Sequence, residues 1–339
     1  MPSSKIDYKS AKKVVRVKNL CKWFPVKRTL FDSITKKPVR YVRAVDDVTL
    51  DIYEGEALGL VGESGCGKST LARTIIRLYE PTSGSIELEG TEISNLNGAA
   101  LRALRPRMQM IFQDPYSSLN PRMSVEDIIG EILRVHKVVP KGQIKQRVYE
   151  LMGKCGLTSD YAHRFPGEFS GGQRQRVGIA RALALNPNFI IADEPVSALD
   201  VSIQAQIINL LSELQQELGL TILFISHDLR VVRYITHRVA VMYLGNIMEL
   251  GETDDVFSNP MHPYTEVLTK AAPVMDPRNR SREYAIDGET PSPINMPDGC
   301  RFHPRCTRCT KRCRMEAPKL SEVKPGRFVA CHYPLTEDK

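Results

Sequence analysis

Nowhere in this chain does an apolar run approach the roughly 18 residues that a membrane-spanning helix needs, which excludes such a helix. Residues Met1 to Lys5 do not begin the apolar stretch of a secretory leader, so the chain is expected to be soluble and cytosolic. Internal repeats and low-complexity tracts are also missing, and repeat architectures go with them. What is left is a globular composition. Its 339 residues, 42% hydrophobic and 25% charged, can bury a sizeable core as one large domain with appendages or as two modest domains.

The net charge of +8 belongs to the ends. Residues 1–43 carry 13 Lys and Arg against 2 Asp and Glu, residues 300–339 carry 10 against 4, and residues 44–299 are acidic at −9. The basic ends read either as solvated segments or as contacts with a protein partner or anionic lipid headgroups; the acidic body gives no reason to expect nucleic acid. Cysteine is uneven as well. Cys21, Cys66 and Cys155 are scattered, whereas Cys300, Cys306, Cys309, Cys313 and Cys331 crowd the last 40 residues. In a cytosolic chain such crowding favours a metal over disulfides.

Residues 14–18 and 45–61 are patterned as strands, and the second run leads into a glycine-rich loop followed by a helix through about Tyr79. Short β-like runs at Ile86–Leu88 and Met108–Phe112 precede a helical stretch from about Ser124 to Cys155, divided by Pro140 and Gly142. A helix from Gln173 to Leu185 leads to the apolar strand Phe189–Ala192, and a helix near Ser202–Leu218 leads to the strand Thr221–Ile225. Alternating strand and helix argue for a parallel sheet. After Pro273 the chain reads as an extension with little secondary structure beyond what its cysteines impose.

The loop is Gly62-Glu63-Ser64-Gly65-Cys66-Gly67-Lys68-Ser69-Thr70. Between a strand and a helix this spacing binds phosphate: glycines let the backbone close on the oxygens, Lys68 places a charge on the β- and γ-phosphates, and the Ser69 hydroxyl suits magnesium. Phe189 to Glu194 is an apolar strand ending in two carboxylates, which suits Asp193 for magnesium and Glu194 for polarising an attacking water. Such carboxylates are often mere turn residues; the loop at 62–69 is what raises their meaning. Ser170-Gly171-Gly172-Gln173 opens onto a helix and reads as a second phosphate surface or, taken alone, as a plain N-cap.

Taken in order, these motifs resemble an ABC ATPase: Walker A at Gly62–Ser69, Walker B and catalytic glutamate at Phe189–Glu194, and the signature at Ser170–Gln173, with Phe169 where Leu is commoner. Gln113 matches the Q-loop, Ser197 to Asp200 the D-loop and His227 the switch histidine; Phe24 aligns with the aromatic that stacks on adenine, with Trp23 as its rival. The resemblance implies an α/β fold: a RecA-like parallel core with an antiparallel β subdomain and a helical subdomain at about 114–172, all within residues 1–272. It also implies two ATPase subunits meeting head to tail, with ATP and Mg2+ bound between Walker A of one and the signature of the other. Magnesium would be held by Ser69, Gln113 and Asp193.

Within that family, Gln113 to Arg122, Asp193 to Ser202, His262-Pro263-Tyr264-Thr265 and the cysteine-rich end resemble the peptide and nickel importer group. Phe24-Pro25-Val26 and the insert from Lys27 to Tyr41 favour its F-type over its D-type subunit. The implied partners are a second, homologous ATPase subunit and two transmembrane permease subunits, with an extracytoplasmic peptide-binding protein engaged indirectly. The implied location is the cytoplasmic face of the plasma membrane. The implied receiver of a short permease helix is the surface from Gln113 to about Cys155. In the extension 273–339, Cys300, Cys306, Cys313 and Cys331 match the group's four cysteines and Cys309 is surplus. Spacing leaves a 4Fe-4S cluster and Zn2+ both open; the resemblance points to iron–sulfur, structural and distant from ATP, with Arg301, Arg305, Arg308, Arg312 and Arg314 offsetting its charge. A repair-type ABC protein is disfavoured because Ser69 to Ser170 leaves no room for a long insert and holds no Cys-x-x-Cys pair. A merely regulatory ATP-binding protein is disfavoured by intact Glu194 and His227.

Overall fold

The computed structural model describes residues 6–28, 38–271 and 291–335. The expected domain boundary at 272/273 and the centre of the insert 27–41 lie outside the described residues. In chain order the strands are β1 Lys13–Pro25, β2 Tyr41–Tyr53, β3 Ala57–Val61, β4 Ser83–Leu88, β5 Thr91–Glu92, β6 Met108–Ile111, β7 Phe189–Asp193, β8 Thr221–Ile225, β9 Arg238–Tyr243, β10 Asn246–Glu252, β11 Ser321–Lys324 and β12 Arg327–Val329. They fall into two compact units, one built from residues 6–14, 52–57 and 95–226 and the other from the remainder.

In the first unit β6, β7 and β8 run parallel, with Met108 opposite Phe189 and Phe189 opposite Thr221. Every residue of β7 and β8 is buried, as expected of strands covered on both faces. The helices Val125–Val135 and Ile144–Lys154 occupy the stretch expected to be helical. The first bears Val125, Ile128, Ile129 and Leu133 on its buried face, and Ser124 caps it by accepting from the Asp127 N–H at 3.2 Å. Val201–Leu218 ends at Gly219, whose φ of 62° closes the last turn.

In the second unit a sheet of order β2-β1-β4-β5 pairs β1 antiparallel with β4 and β4 antiparallel with β5. The run read from sequence as 45–61 is split into β2 and β3 by a turn at Gly55, φ 70°. Strand β3 pairs parallel with β9, which pairs antiparallel with β10. The helix after the glycine loop, Lys68–Ile75, stops short of Tyr79. Arg77 adopts φ 57°, and the Arg77 and Leu78 N–H groups donate back to Thr74 and Arg73, a Schellman closure that glycine patterning does not announce.

The cysteine-bearing end departs most from expectation. It is not poor in structure: β12 pairs with β10, β11 pairs with β12, and Lys311–Met315 is a short helix. Nor does it lack a core. Phe302 is fully buried against Tyr243, Tyr264 and His262, with ring centroids 5.4, 5.4 and 5.9 Å away. Arg327 is buried with its guanidinium 2.7 Å from the equally buried Glu249 and 3.0 Å from Asp255. A buried pair of this kind holds its two elements together because removing one partner strands the other charge.

Candidate functional site

The glycine loop is shaped by its neighbours. A Cβ on Gly62 would lie 2.1 Å from the Met242 carbonyl oxygen, and one on Gly67 2.0 Å from that of Ala44; both positions also have positive φ, 151° and 109°. Only glycine lets the chain pass so close to backbone. Lys68 is buried, its Nζ donating to the Gly62 and Glu63 carbonyls at 2.8 and 3.0 Å, so the ammonium lies across the loop it serves. Ser64 and Gly65 are exposed at the loop's crest, Ser69 is half-buried at the helix start, and the Thr70 carbonyl accepts from Thr74. Cys66 is buried, which pushes its thiol pKa up.

Asp193 and Glu194 end the buried strand β7 in the other unit. Asp193 is fully buried. Glu194 takes φ 46°, its N–H donates to the Ile225 carbonyl at 3.0 Å, and its Oε2 accepts from the Gln113 side-chain amide at 2.9 Å. A left-handed non-glycine residue at a strand end is uncommon and aims the carboxylate away from the strand's run. Gln113 and Glu194, 81 positions apart, are therefore brought together. Ser197 accompanies them, its hydroxyl donating to the Glu194 carbonyl at 3.2 Å.

Ser170 and Gln173 form a capping box: the Ser170 oxygen accepts from the Gln173 N–H at 3.4 Å, and the Gln173 side chain accepts from the Ser170 N–H at 3.0 Å. The helix accordingly begins at Gly171, two residues before the sequence estimate. Both glycines face packed side chains. A Cβ on Gly172 would stand 2.4 Å from Ile203 Cγ2, and one on Gly171 3.0 Å from Leu199. The N-cap reading thus holds locally, and the glycines answer to packing as well.

His227 is exposed, and Asp228 after it caps the next helix and grips the Arg230 guanidinium at 2.7 and 3.1 Å, which holds its carboxyl below the usual range. Phe24 is half-buried, edge-on to Tyr79 at 5.5 Å with Lys22 4.9 Å above its face. The rival Trp23 is committed elsewhere: its indole N–H donates to Asp46 at 2.9 Å and Arg43 covers its ring at 4.8 Å.

Cys300, Cys306, Cys313 and Cys331 line a single pocket, with His262 and Phe302 on its wall; Cys309 is outside it. Burial pushes the Cys300 thiol to about 11, and the other three cysteines add to the shift. Four soft sulfur donors around one pocket are the ligand type of an iron–sulfur cluster or of zinc. Among the described residues, no three Cys, His, Asp or Glu converge so as to hold a single metal ion. Of the five arginines expected to offset cluster charge, Arg308 lines the cysteine pocket, whereas three others have carboxylate partners. Arg301 pairs with Asp46, Arg305 with Glu63 and Arg312 with Glu316. The segment is not remote from the glycine loop, since Glu63 is part of that loop. Sequence reading missed these partners because 242 positions separate Arg305 from Glu63 and no local pattern marks the pair.

A glycine loop opening onto a helix, a buried strand ending in Asp-Glu, and a glutamine held against that glutamate are the parts of a P-loop ATPase. Comparison with known proteins gives the family. Residues 45–197 match the ABC transporter family model, and residues 248–313 match the C-terminal region of oligopeptide/dipeptide transporters. The chain is 54% identical over 319 residues to a probable peptide ABC transporter ATP-binding protein, y4tS, of Sinorhizobium fredii, covering 94% of this chain and 89% of that one. It is 51% identical over 322 residues to the oligopeptide transport ATP-binding protein AppF of Bacillus subtilis, covering 94% and 97%. Among solved structures it resembles the dimeric ATP-binding cassette MJ0796 bound to ADP and Pi, with TM-score 0.61 and 30% identity over 70% of this chain and 98% of that one. This chain belongs to the ATP-binding proteins of ABC transporters. No helix among the described residues is long and apolar enough to cross a membrane.

Proposed function

We propose that this chain binds and hydrolyses ATP to drive the import of peptides through two membrane-embedded permease subunits. The observation that carries the reading is the pairing of Gln113 with Glu194 in a chain whose relatives are named for peptide transport. The backbone N–H groups of Gly65 to Thr70 and the Lys68 ammonium take the phosphates. Ser69, Asp193 and Gln113 would supply the hard oxygen donors that magnesium prefers, and the ion would offset phosphate charge. Glu194 orients the attacking water, His227 holds the γ-phosphate, and Ser170 to Gln173 complete the site of a second, homologous ATPase subunit. Phe24, with Trp23 held by Asp46, is the aromatic for adenine.

Catalysis in this arrangement is positioning and electrostatics, so turnover depends on dimer closure. The surface from Gln113 to about Cys155, which includes the exposed Tyr116 beside Arg174 at 3.7 Å, would receive a permease helix on the cytoplasmic side of the membrane. An extracytoplasmic peptide-binding protein would deliver cargo without touching this chain. In the C-terminal pocket, Cys300, Cys306, Cys313 and Cys331 would hold a 4Fe-4S cluster, with zinc as the second reading. The deciding experiment is peptide uptake and ATP hydrolysis by the complex reconstituted with its permeases and candidate binding proteins. Hydrolysis without peptide uptake would displace peptide as the cargo, and no hydrolysis in any assembly would overturn the ATPase reading.

A further inference from the structure

Two side chains of the cysteine-bearing segment end on the glycine loop and its support. Arg305, next to Cys306, is almost fully buried, with its guanidinium 2.9 Å from Glu63 Oε2 and 3.3 Å from the Tyr243 hydroxyl. The Glu63 N–H in turn donates to the Tyr264 hydroxyl at 2.9 Å, and Tyr264 packs on Tyr243 and Phe302. Arg301, next to Cys300, reaches Asp46 and the Leu244 carbonyl. The neighbouring Gly245 N–H donates to the Cys66 carbonyl at 2.8 Å, inside the loop.

Glu63 presents a chemical problem. It places a carboxylate in a loop built to receive the anionic phosphates of a nucleotide, and in a partly buried setting like charges repel strongly. We propose that Arg305 is a positioning residue for nucleotide binding: it neutralises Glu63 and fixes the start of the loop, so that ATP affinity depends on a docked C-terminal segment. By reciprocity, bound ATP steadies that segment. The inference rests on the nucleotide reading of Gly62–Thr70.

The test is equilibrium binding of ATP with magnesium to the purified full-length chain. Arg305→Met keeps bulk and removes charge, and should weaken ATP binding by roughly tenfold, within the usual range of coupling between sites. Arg305→Lys should stay near wild type. Glu63→Gln should bind at least as well as wild type although it breaks the same ion pair, and it should restore binding when combined with Arg305→Met. Hydrogen exchange of residues 299–313 should slow on ATP addition in wild type and not in Arg305→Met. A Glu63→Gln variant as impaired as Arg305→Met, or a double variant no better than Arg305→Met alone, would reduce the pair to a fold-stabilising contact and overturn the proposal. Wild-type affinity in Arg305→Met would overturn it too. A wild-type chain that binds no ATP would instead bring down the nucleotide reading beneath it.

Discussion

The side-chain amide of Gln113 donates to Glu194 Oε2 across 2.9 Å, joining the end of β6 to the end of β7 within one parallel sheet. The bond holds the carboxylate by its charge and leaves its second oxygen to other partners. A rearrangement at the nucleotide would pass through Gln113 into the helical segment that begins at Pro115.

Glu194→Gln should retain ATP binding and lose hydrolysis by more than about 100-fold, because an amide of the same shape cannot polarise water as a carboxylate does. Gln113→Ala leaves the carboxylate in place and should cost roughly tenfold in kcat. Steady-state hydrolysis and ATP binding in the assembled complex check both. Near-normal turnover by Glu194→Gln would remove that residue from the water-activating role.

Gly172→Ala drives a methyl group against Ile203 Cγ2 at 2.4 Å and should destabilise the chain by about 1–3 kcal/mol. Trimming the obstacle with Ile203→Ala in the same chain should recover part of that loss. Denaturant midpoints of the single and double variants measure it. If the double variant is simply the sum of two losses, packing does not explain the glycine.

Arg327→Ala should cost about 3–5 kcal/mol, because Glu249 would be left charged and fully buried while still accepting from the Met261 and His262 N–H groups at 2.7 and 3.1 Å. Loss of the β10–β12 contact should show as faster hydrogen exchange in both strands. Unchanged exchange would mean that the tail docks by other means.

His262 is fully buried, and burial lowers its pKa from 6.5 to about 3. Its Nδ1 accepts from the Tyr264 N–H at 3.0 Å, which requires the neutral ring. The folded form resists the proton that the unfolded chain takes up, so this contribution is complete above pH 6.5 and is lost as pH falls from there toward 3. Unfolding midpoints followed from pH 7 to 5 should fall in wild type and fall less steeply in His262→Gln. Equal slopes would remove His262 from the pH dependence.

Anaerobically purified protein should be brown and carry about four irons per chain. Cys306→Ser and Cys313→Ser should lose the metal, while Cys309→Ser, outside the pocket, should keep it. Colourless protein with stoichiometric zinc would favour the second reading, and metal loss in Cys309→Ser would overturn the choice of ligands.

What the sequence determined by itself was local chemistry and order. The loop Gly62–Thr70, the strand ending at Asp193-Glu194, the helices flanking Pro140 and the alternation of strand and helix are each written in contiguous residues. Their spacing is dictated by backbone geometry or by a phosphate's size. The tertiary structure decided what distant residues do to one another. It split 45–61 into two strands at Gly55, ended the helix after the loop at Arg77 and gave the cysteine-bearing segment two strands and a core around Phe302. It also turned Arg301 and Arg305 from the cysteines toward Asp46 and Glu63. Charged side chains choose partners by proximity after folding, and the carboxylates of Asp46 and Glu63 compensate these two arginines; no periodicity in the chain records that choice.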